Sequence, residues 1–174
     1  MKYYLNLRIS GILTVLLLLT FSGCSSDAET KSSNPLDAPD FTLDSVTGEN
    51  ITLSDLKGKV ILLDFWATWC GPCLQTIPEI VRLDKKYQDK GLVVLGVSMD
   101  TMAQANNDQL KKFMATFDMK YPVMRDDGVV SEAYYGDAPL AIPTMHIIDR
   151  DGKIVKTIVG VRPGEAEEAI KTLL

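Results

Sequence analysis

The sequence is poor in metal ligands. Its 174 residues contain three cysteines and a single histidine, His146, and a structural zinc site usually takes four Cys or His ligands. Only Cys70, Cys73 and His146 with a carboxylate make a conceivable set. The seven methionines are scattered and form no cluster. Positive charge is also in deficit. The 18 Lys and Arg face 23 Asp and Glu, for a formal charge of -5, and no basic stripe breaks that balance. Nucleic acid is therefore not an expected partner. There is no Gly-rich phosphate loop and no internal repeat. The apolar run from Ile12 to Phe21 is too short for a comfortable membrane span.

Against these absences stands one concentrated signal, Trp69-Cys70-Gly71-Pro72-Cys73, at the end of the apolar run Val60 to Trp66. Two thiols at this spacing, at the start of a helix, can close a disulfide and reopen it. The partial positive charge of the helix N-terminus favours a thiolate on Cys70. A Cys-x-x-Cys beside a strand–helix pattern is a redox signature, and the expected chemistry is thiol–disulfide exchange. Two other readings use the same pair: half of a zinc site, and a purely structural disulfide. The latter would close a very short loop, where the entropic stabilisation is smallest.

Residues 1–23 read as a processing segment, with Lys2 and Arg8 before the apolar core and Ser22-Gly23-Cys24 after it. An uncleaved anchor helix is the alternative, and both place the rest of the chain outside the cytoplasmic membrane. Residues 24–36 are polar, low in apolar side chains, and read as a flexible tether. Residues 37–174 then form one domain, about 140 residues, enough for a proper core.

Within that domain, Asp40–Leu43 and Asn50–Leu53 predict an N-terminal hairpin turning at Thr47-Gly48-Glu49. The stretch from Ser54 to Lys59 reads as a polar turn or a single helical turn. Val60–Trp66 and Leu92–Ser98 are continuous apolar runs, as buried parallel strands are. Pro72 suits the first turn of a helix that ends near Lys90-Gly91, and Pro78 should kink it. Leu110, Phe113, Met114 and Phe117 mark one face of a second helix. A short strand at Tyr121–Met124 and a short helix at Val129–Tyr135 follow. Asp149-Arg150-Asp151-Gly152 joins strands Thr144–Ile148 and Lys153–Val159, and a helix closes the chain from about Pro163. This order predicts an α/β fold, a mixed central sheet with helices on both faces.

The string Phe65-Trp66-Ala67-Thr68-Trp69-Cys70-Gly71-Pro72-Cys73 resembles thioredoxin. The domain as a whole resembles the membrane-tethered TlpA/ResA-type thioredoxins. Their opening is matched by Ala38-Pro39-Asp40-Phe41 and Leu53-Ser54-Asp55-Leu56-Lys57-Gly58-Lys59, and their strand–helix insertion by Leu92 to Val123. Ala141-Ile142-Pro143-Thr144 matches their cis-proline loop, and Asp151-Gly152-Lys153 the later hairpin. Ser22-Gly23-Cys24 resembles the lipobox of bacterial lipoproteins, with Phe21 where a small or aliphatic residue is usual.

The resemblance implies a thioredoxin-like fold and a cis peptide at Ile142–Pro143. Cys70 is then the nucleophile and Cys73 the resolving thiol, with Gly71 and Pro72 tuning the pair. Trp69 and Ile142 line the substrate-docking surface, and Pro143 packs against the disulfide. Asp64 stands where thioredoxin has a buried acid that relays a proton, and Asp100 lies near a second acidic position of the TlpA type. No cofactor is expected beyond the redox-active disulfide. Cys24 carries lipid, so the protein is an extracytoplasmic, membrane-anchored lipoprotein, facing the periplasm if the host has two membranes. Its partners are protein disulfides, apocytochrome c being one candidate, and a membrane thiol electron donor. A monomer is expected. Glu79 reads as a solvated charge, Trp66 as core, and His146 as a packed or edge histidine. The rival functions are a peroxiredoxin-like thiol peroxidase and a non-catalytic binding module. The former needs Thr or Ser three residues before the reactive cysteine, where this chain has Ala67.

Overall fold

A computed structural model of the protein describes residues 36–174. The signal segment, Cys24 and nearly all of the expected tether lie outside the described residues. The domain begins one residue earlier than its sequence boundary. Leu36 pairs with Ile154 and Asp37 with Lys153, so Leu36–Asp37 (β1) is an edge strand and not tether.

Thr42–Asp44 (β2) and Asn50–Thr52 (β3) form the expected hairpin as a separate two-stranded sheet. The main sheet adds Val60–Trp66 (β4), Leu92–Ser98 (β5), Val123–Arg125 (β6), Thr144–Ile148 (β7) and Lys153–Val159 (β8) to β1, in the order β1-β8-β7-β4-β5-β6. β4 runs parallel to β5, and β5 to β6, while β7 lies antiparallel on the other side of β4. A parallel neighbour needs a long crossover. Gly71–Tyr87 (α1) supplies the first and Asn107–Thr116 (α2) the second. Val129–Tyr135 (α3) and Glu165–Leu173 (α4) complete the helices.

All seven residues of β4 are buried because both faces of the strand are covered. Leu62 and Trp66 join Ile77, Ile80 and Leu83 of α1, Leu110 of α2 and Ile170 of α4. Ile61, Leu63 and Phe65 point the other way, into a second core with Phe41, Leu43, Leu53 and Val130. Each fully buried side chain of this size contributes about 1.5–3 kcal/mol. Thus α1, α2 and α4 cover one face, and the hairpin and α3 the other.

Several boundaries shift from the sequence reading, those of the hairpin strands included. The third parallel strand starts at Val123, because Tyr121 turns inward and is 3% exposed. The last helix starts at Glu165, because Gly164 takes a left-handed φ of 84°. The turn before β4 contains one 3-10 turn, Leu53–Leu56. α1 continues through Pro78 as one element and ends in a 3-10 turn before Gly91, whose φ of 99° suits only glycine well.

The sheet has two unlike poles. Trp66, Ser98, Arg125, Thr144 and Val159 end or begin their strands at one pole; Val60, Leu92, Ile148 and β1 lie at the other. The carboxyl ends of β4 and β5 are the usual place for a site in such a sheet.

Candidate active site

The loop leaving β4 at that pole carries the two cysteines. Cys70 is the N-cap of α1, and Pro72 occupies its first turn. The Cys70 Sγ accepts a hydrogen bond from the Cys73 N–H at 3.2 Å, which places that sulfur at the positive end of the helix. The pair is closed as a disulfide, with Cα atoms 5.2 Å apart. Cys70 is 4% exposed and Cys73 is fully buried, so an incoming group meets Cys70 first. Trp69 stands beside it, 55% exposed. Gly71 faces open space.

A second loop adjoins this one. The peptide between Ile142 and Pro143 is cis, and Pro143 is buried. Ile142 packs against the apolar cluster that contains both cysteines. The Ala141 carbonyl accepts from the Tyr135 hydroxyl at 2.9 Å and from the Thr144 hydroxyl at 2.6 Å. The Pro143 carbonyl accepts from Gly160 N–H at 2.8 Å. Between these fixed points, the Ile142 N–H and C=O have no partner among the described residues.

Asp64 lies in β4, opposite Gly96 and Met145. It shares the sheet face of Leu62 and Trp66, the face that α1 covers. It is fully buried, and neither carboxylate oxygen has a hydrogen-bond partner among the described residues. Burial therefore pushes its pKa up to about 8. The Trp66 Nε1 and the Tyr121 hydroxyl are likewise buried without partners. A Cβ at position 96 would stand 3.0 Å from Trp66 Nε1 and 3.4 Å from the Tyr121 ring. Gly96 is thus the residue that admits both rings beside the Asp64 strand. A glycine inside an apolar strand is a signal of close approach, and it is the one sequence feature that could have drawn attention to Tyr121, which the sequence reading missed.

Other candidates fall elsewhere. Asp100 is buried, and its carboxylate bonds Thr68 and Ser98. It is held within that network. Glu79 is not simply solvated, since it accepts the Gly164 N–H at 3.0 Å and so caps α4. Trp66 is core, stacked on Phe113 at 5.1 Å between ring centres. His146 pairs in register with Leu63 and packs against Phe65 and Tyr134. Its Nδ1 meets the Thr157 hydroxyl at 3.0 Å, and burial lowers its pKa to about 4. It belongs to the sheet face opposite the cysteines, so the ligand set weighed for zinc is not brought together. Ala67, fully buried, offers no hydroxyl three residues before Cys70.

Residues 36–157 match the AhpC/TSA family. The chain belongs to this family. Within the AhpC/TSA family, its sequence is 36% identical over 148 residues to the thiol-disulfide oxidoreductase ResA of Bacillus cereus, covering 85% of this chain and 82% of that protein. It is also 36% identical to the thioredoxin-like protein YneN of Bacillus subtilis, over 87% of this chain and 89% of that one. A thiol:disulfide interchange protein of Chlorobium tepidum superposes with a TM-score of 0.72 at 30% identity, covering 81% of this chain and 97% of the other. The pneumococcal exposed lipoprotein thioredoxin of Streptococcus pneumoniae gives 0.64 at 33% identity, covering 78% of this chain and all of that one. The fold is thioredoxin-like, and this AhpC/TSA member is a thiol–disulfide oxidoreductase whose cysteine pair sits at disulfide distance.

Proposed function

We propose that the enzyme works outside the cytoplasm as a reductant of protein disulfides, held to a membrane by lipid on Cys24. The observation that carries the reading is Cys70 capping α1, with Cys73 buried one turn behind it. In the reduced enzyme the Cys70 thiolate attacks one sulfur of a substrate disulfide. That S–S bond breaks, a mixed disulfide forms, and the leaving thiolate takes up a proton. Cys73, deprotonated, then attacks the Cys70 sulfur and expels the second substrate thiolate, which is protonated in turn. Two electrons have passed to the substrate, and the Cys70–Cys73 disulfide remains. The two thiols need no further cofactor for this.

Asp64 is the group proposed to accept the Cys73 proton. A carboxylate whose pKa is pushed to about 8 is matched to a thiol near 8.5. Trp69 and Ile142 receive the substrate. The free main-chain groups of Ile142, beside buried Pro143, suit pairing with an extended segment. The Gly-Pro dipeptide is that of thioredoxin, with a potential of about -270 mV, and not of a strong oxidant near -120 mV. Exported proteins, apocytochrome c among them, are the proposed substrates, and a membrane thiol protein the electron donor. Likeness to a lipoprotein thioredoxin supports the anchor.

The reduction potential of the pair in a fragment lacking residues 1–26 tests the direction. A value near or below about -230 mV supports a reductant. One between about -180 and -120 mV reassigns the enzyme to oxidation or isomerisation. A pair inert to dithiothreitol would mean a structural disulfide and a binding role. Titrating Asp64 by NMR tests the relay, which fails if its pKa stays near 4 in both redox states. A Cys73→Ala variant should trap mixed disulfides and identify the substrate by mass spectrometry.

A further inference from the structure

Asp100 follows β5 at the active-site pole and is 2% exposed. Its two carboxylate oxygens take three hydrogen bonds. Oδ2 accepts from the Thr68 N–H at 2.9 Å and from the Ser98 hydroxyl at 2.8 Å. Oδ1 accepts from the Thr68 hydroxyl at 2.6 Å. The main chain of Asp100 is held as firmly. Its N–H donates to Ser98 Oγ at 3.2 Å, and its carbonyl receives Arg125 Nη1. The other arm of that guanidinium donates to the Ala105 carbonyl at 2.8 Å and to Asn107 Oδ1 at 3.0 Å. A rigid bracket from β5, β6 and the start of α2 therefore grips Thr68.

Thr68 stands two residues before Cys70. The Cys70 N–H donates to the Ala67 carbonyl at 3.2 Å, which makes residues 67–70 one tight turn. Met99 N–H donates to the Trp66 carbonyl at 2.8 Å and fixes the start of the same segment. The path from the end of β4 to the reactive sulfur thus has its main side-chain restraint at Asp100. We propose that Asp100 is a positioning residue for thiol–disulfide exchange: through Thr68 it holds the Cys70 sulfur on the line of attack. The inference rests on the exchange reaction of Cys70 set out above. In that step the Cys70 thiolate forms the new S–S bond while the substrate's own bond breaks along the same axis, so angular freedom in the turn costs rate.

Asparagine at this position can keep every contact. Its carbonyl takes the place of Oδ2, and its amide donates to the Thr68 hydroxyl, which turns round to accept. Position and charge can therefore be separated by substitution.

The test uses the reduced full-length protein and oxidised glutathione. Single-turnover exchange is measured across the range of thiol ionisation, with the wild type alongside as the report on the exchange itself. Asp100→Ala should react about tenfold more slowly at every pH, with the midpoint of the pH profile unmoved. Asp100→Asn should stay within about threefold of wild type, and Thr68→Val should fall between them. If Asp100→Ala does not fold, a slow Thr68→Val beside a normal Asp100→Asn carries the same conclusion. The proposal is overturned if Asp100→Asn is as slow as Asp100→Ala or Thr68→Val. It is equally overturned if Thr68→Val and Asp100→Ala react at the wild-type rate, or if the midpoint shifts, since the carboxylate would then act on the ionisation of the thiol.

Discussion

Two buried titratable residues on opposite faces of one sheet pull the stability of this protein in opposite directions with pH. Asp64 has a folded pKa near 8, above its ordinary 3.8. Below 3.8 both folded and unfolded chains hold its proton, and burial costs nothing through ionisation. As pH rises through that value the unfolded chain ionises first, so stability drains away, by up to about 4 kcal/mol at neutral pH. His146 has a folded pKa near 4, below its ordinary 6.5. Its stabilising share is complete above 6.5 and is lost as pH falls towards 4, by about 3 kcal/mol. The oxidised enzyme should therefore be most stable on the acid side of neutrality, where the two slopes oppose. Asp64→Asn should flatten the alkaline loss, and urea unfolding of wild type and variant from pH 4 to 8 measures it. Parallel stability curves would sink this account. A second residue prediction concerns Tyr135. Removing its hydroxyl leaves the Ala141 carbonyl with Thr144 alone, a loss of about 1 kcal/mol. Tyr135→Phe should raise KM for a protein disulfide about fivefold and leave reaction with dithiothreitol unchanged. The cysteines were legible from their spacing, because a helix N-terminus and two thiols three apart determine the chemistry locally. The work of Asp100 on Thr68, 32 residues away, has no such local mark.

At the scale of elements, the strands buried on both faces were read to the residue. An unbroken apolar run bounded by turns has only one way to sit in a parallel sheet, and β4 and β5 are of that kind. The strand β1 escaped because two residues carry no period, and its pairing with β8 is decided by tertiary contact alone. α4 was placed to within two residues, but what docks it is invisible in its own sequence. Glu167 accepts from Arg82 at 2.8 Å, Lys86 at 2.7 Å and Tyr87 at 2.8 Å, all on α1. Those contacts hold its carboxyl well below the usual range. Isolated surface pairs contribute little, but here one carboxylate gathers three donors from one neighbouring helix. Glu167→Ala should lower the melting temperature modestly and hasten amide exchange in α4 before α1, which hydrogen exchange resolves residue by residue. Protection lost equally in both helices would show that Ile170 and Ala166, and not the ionic cluster, hold the pair together.

For the whole molecule, the order β1-β8-β7-β4-β5-β6 puts every loop used in the proposed mechanism at one pole and β1 at the other. The seven residues of β8 separate those poles by about 20 Å. Residue 24 stands twelve residues before Leu36, where β1 starts, and covalent geometry lets that stretch span at most about 40 Å. With Cys24 acylated as proposed, covalent geometry caps the distance of the dithiol from the lipid at about 60 Å. Substrates drifting in solution are then met readily. A donor thiol at the bilayer surface must then meet the dithiol at the pole remote from β1, where the link to Cys24 joins the domain. Deleting half of residues 25–35 should slow recharging by such a donor while leaving reduction of soluble protein disulfides untouched. Under this proposal, turnover at the membrane depends on the length of chain before β1 as well as on chemistry.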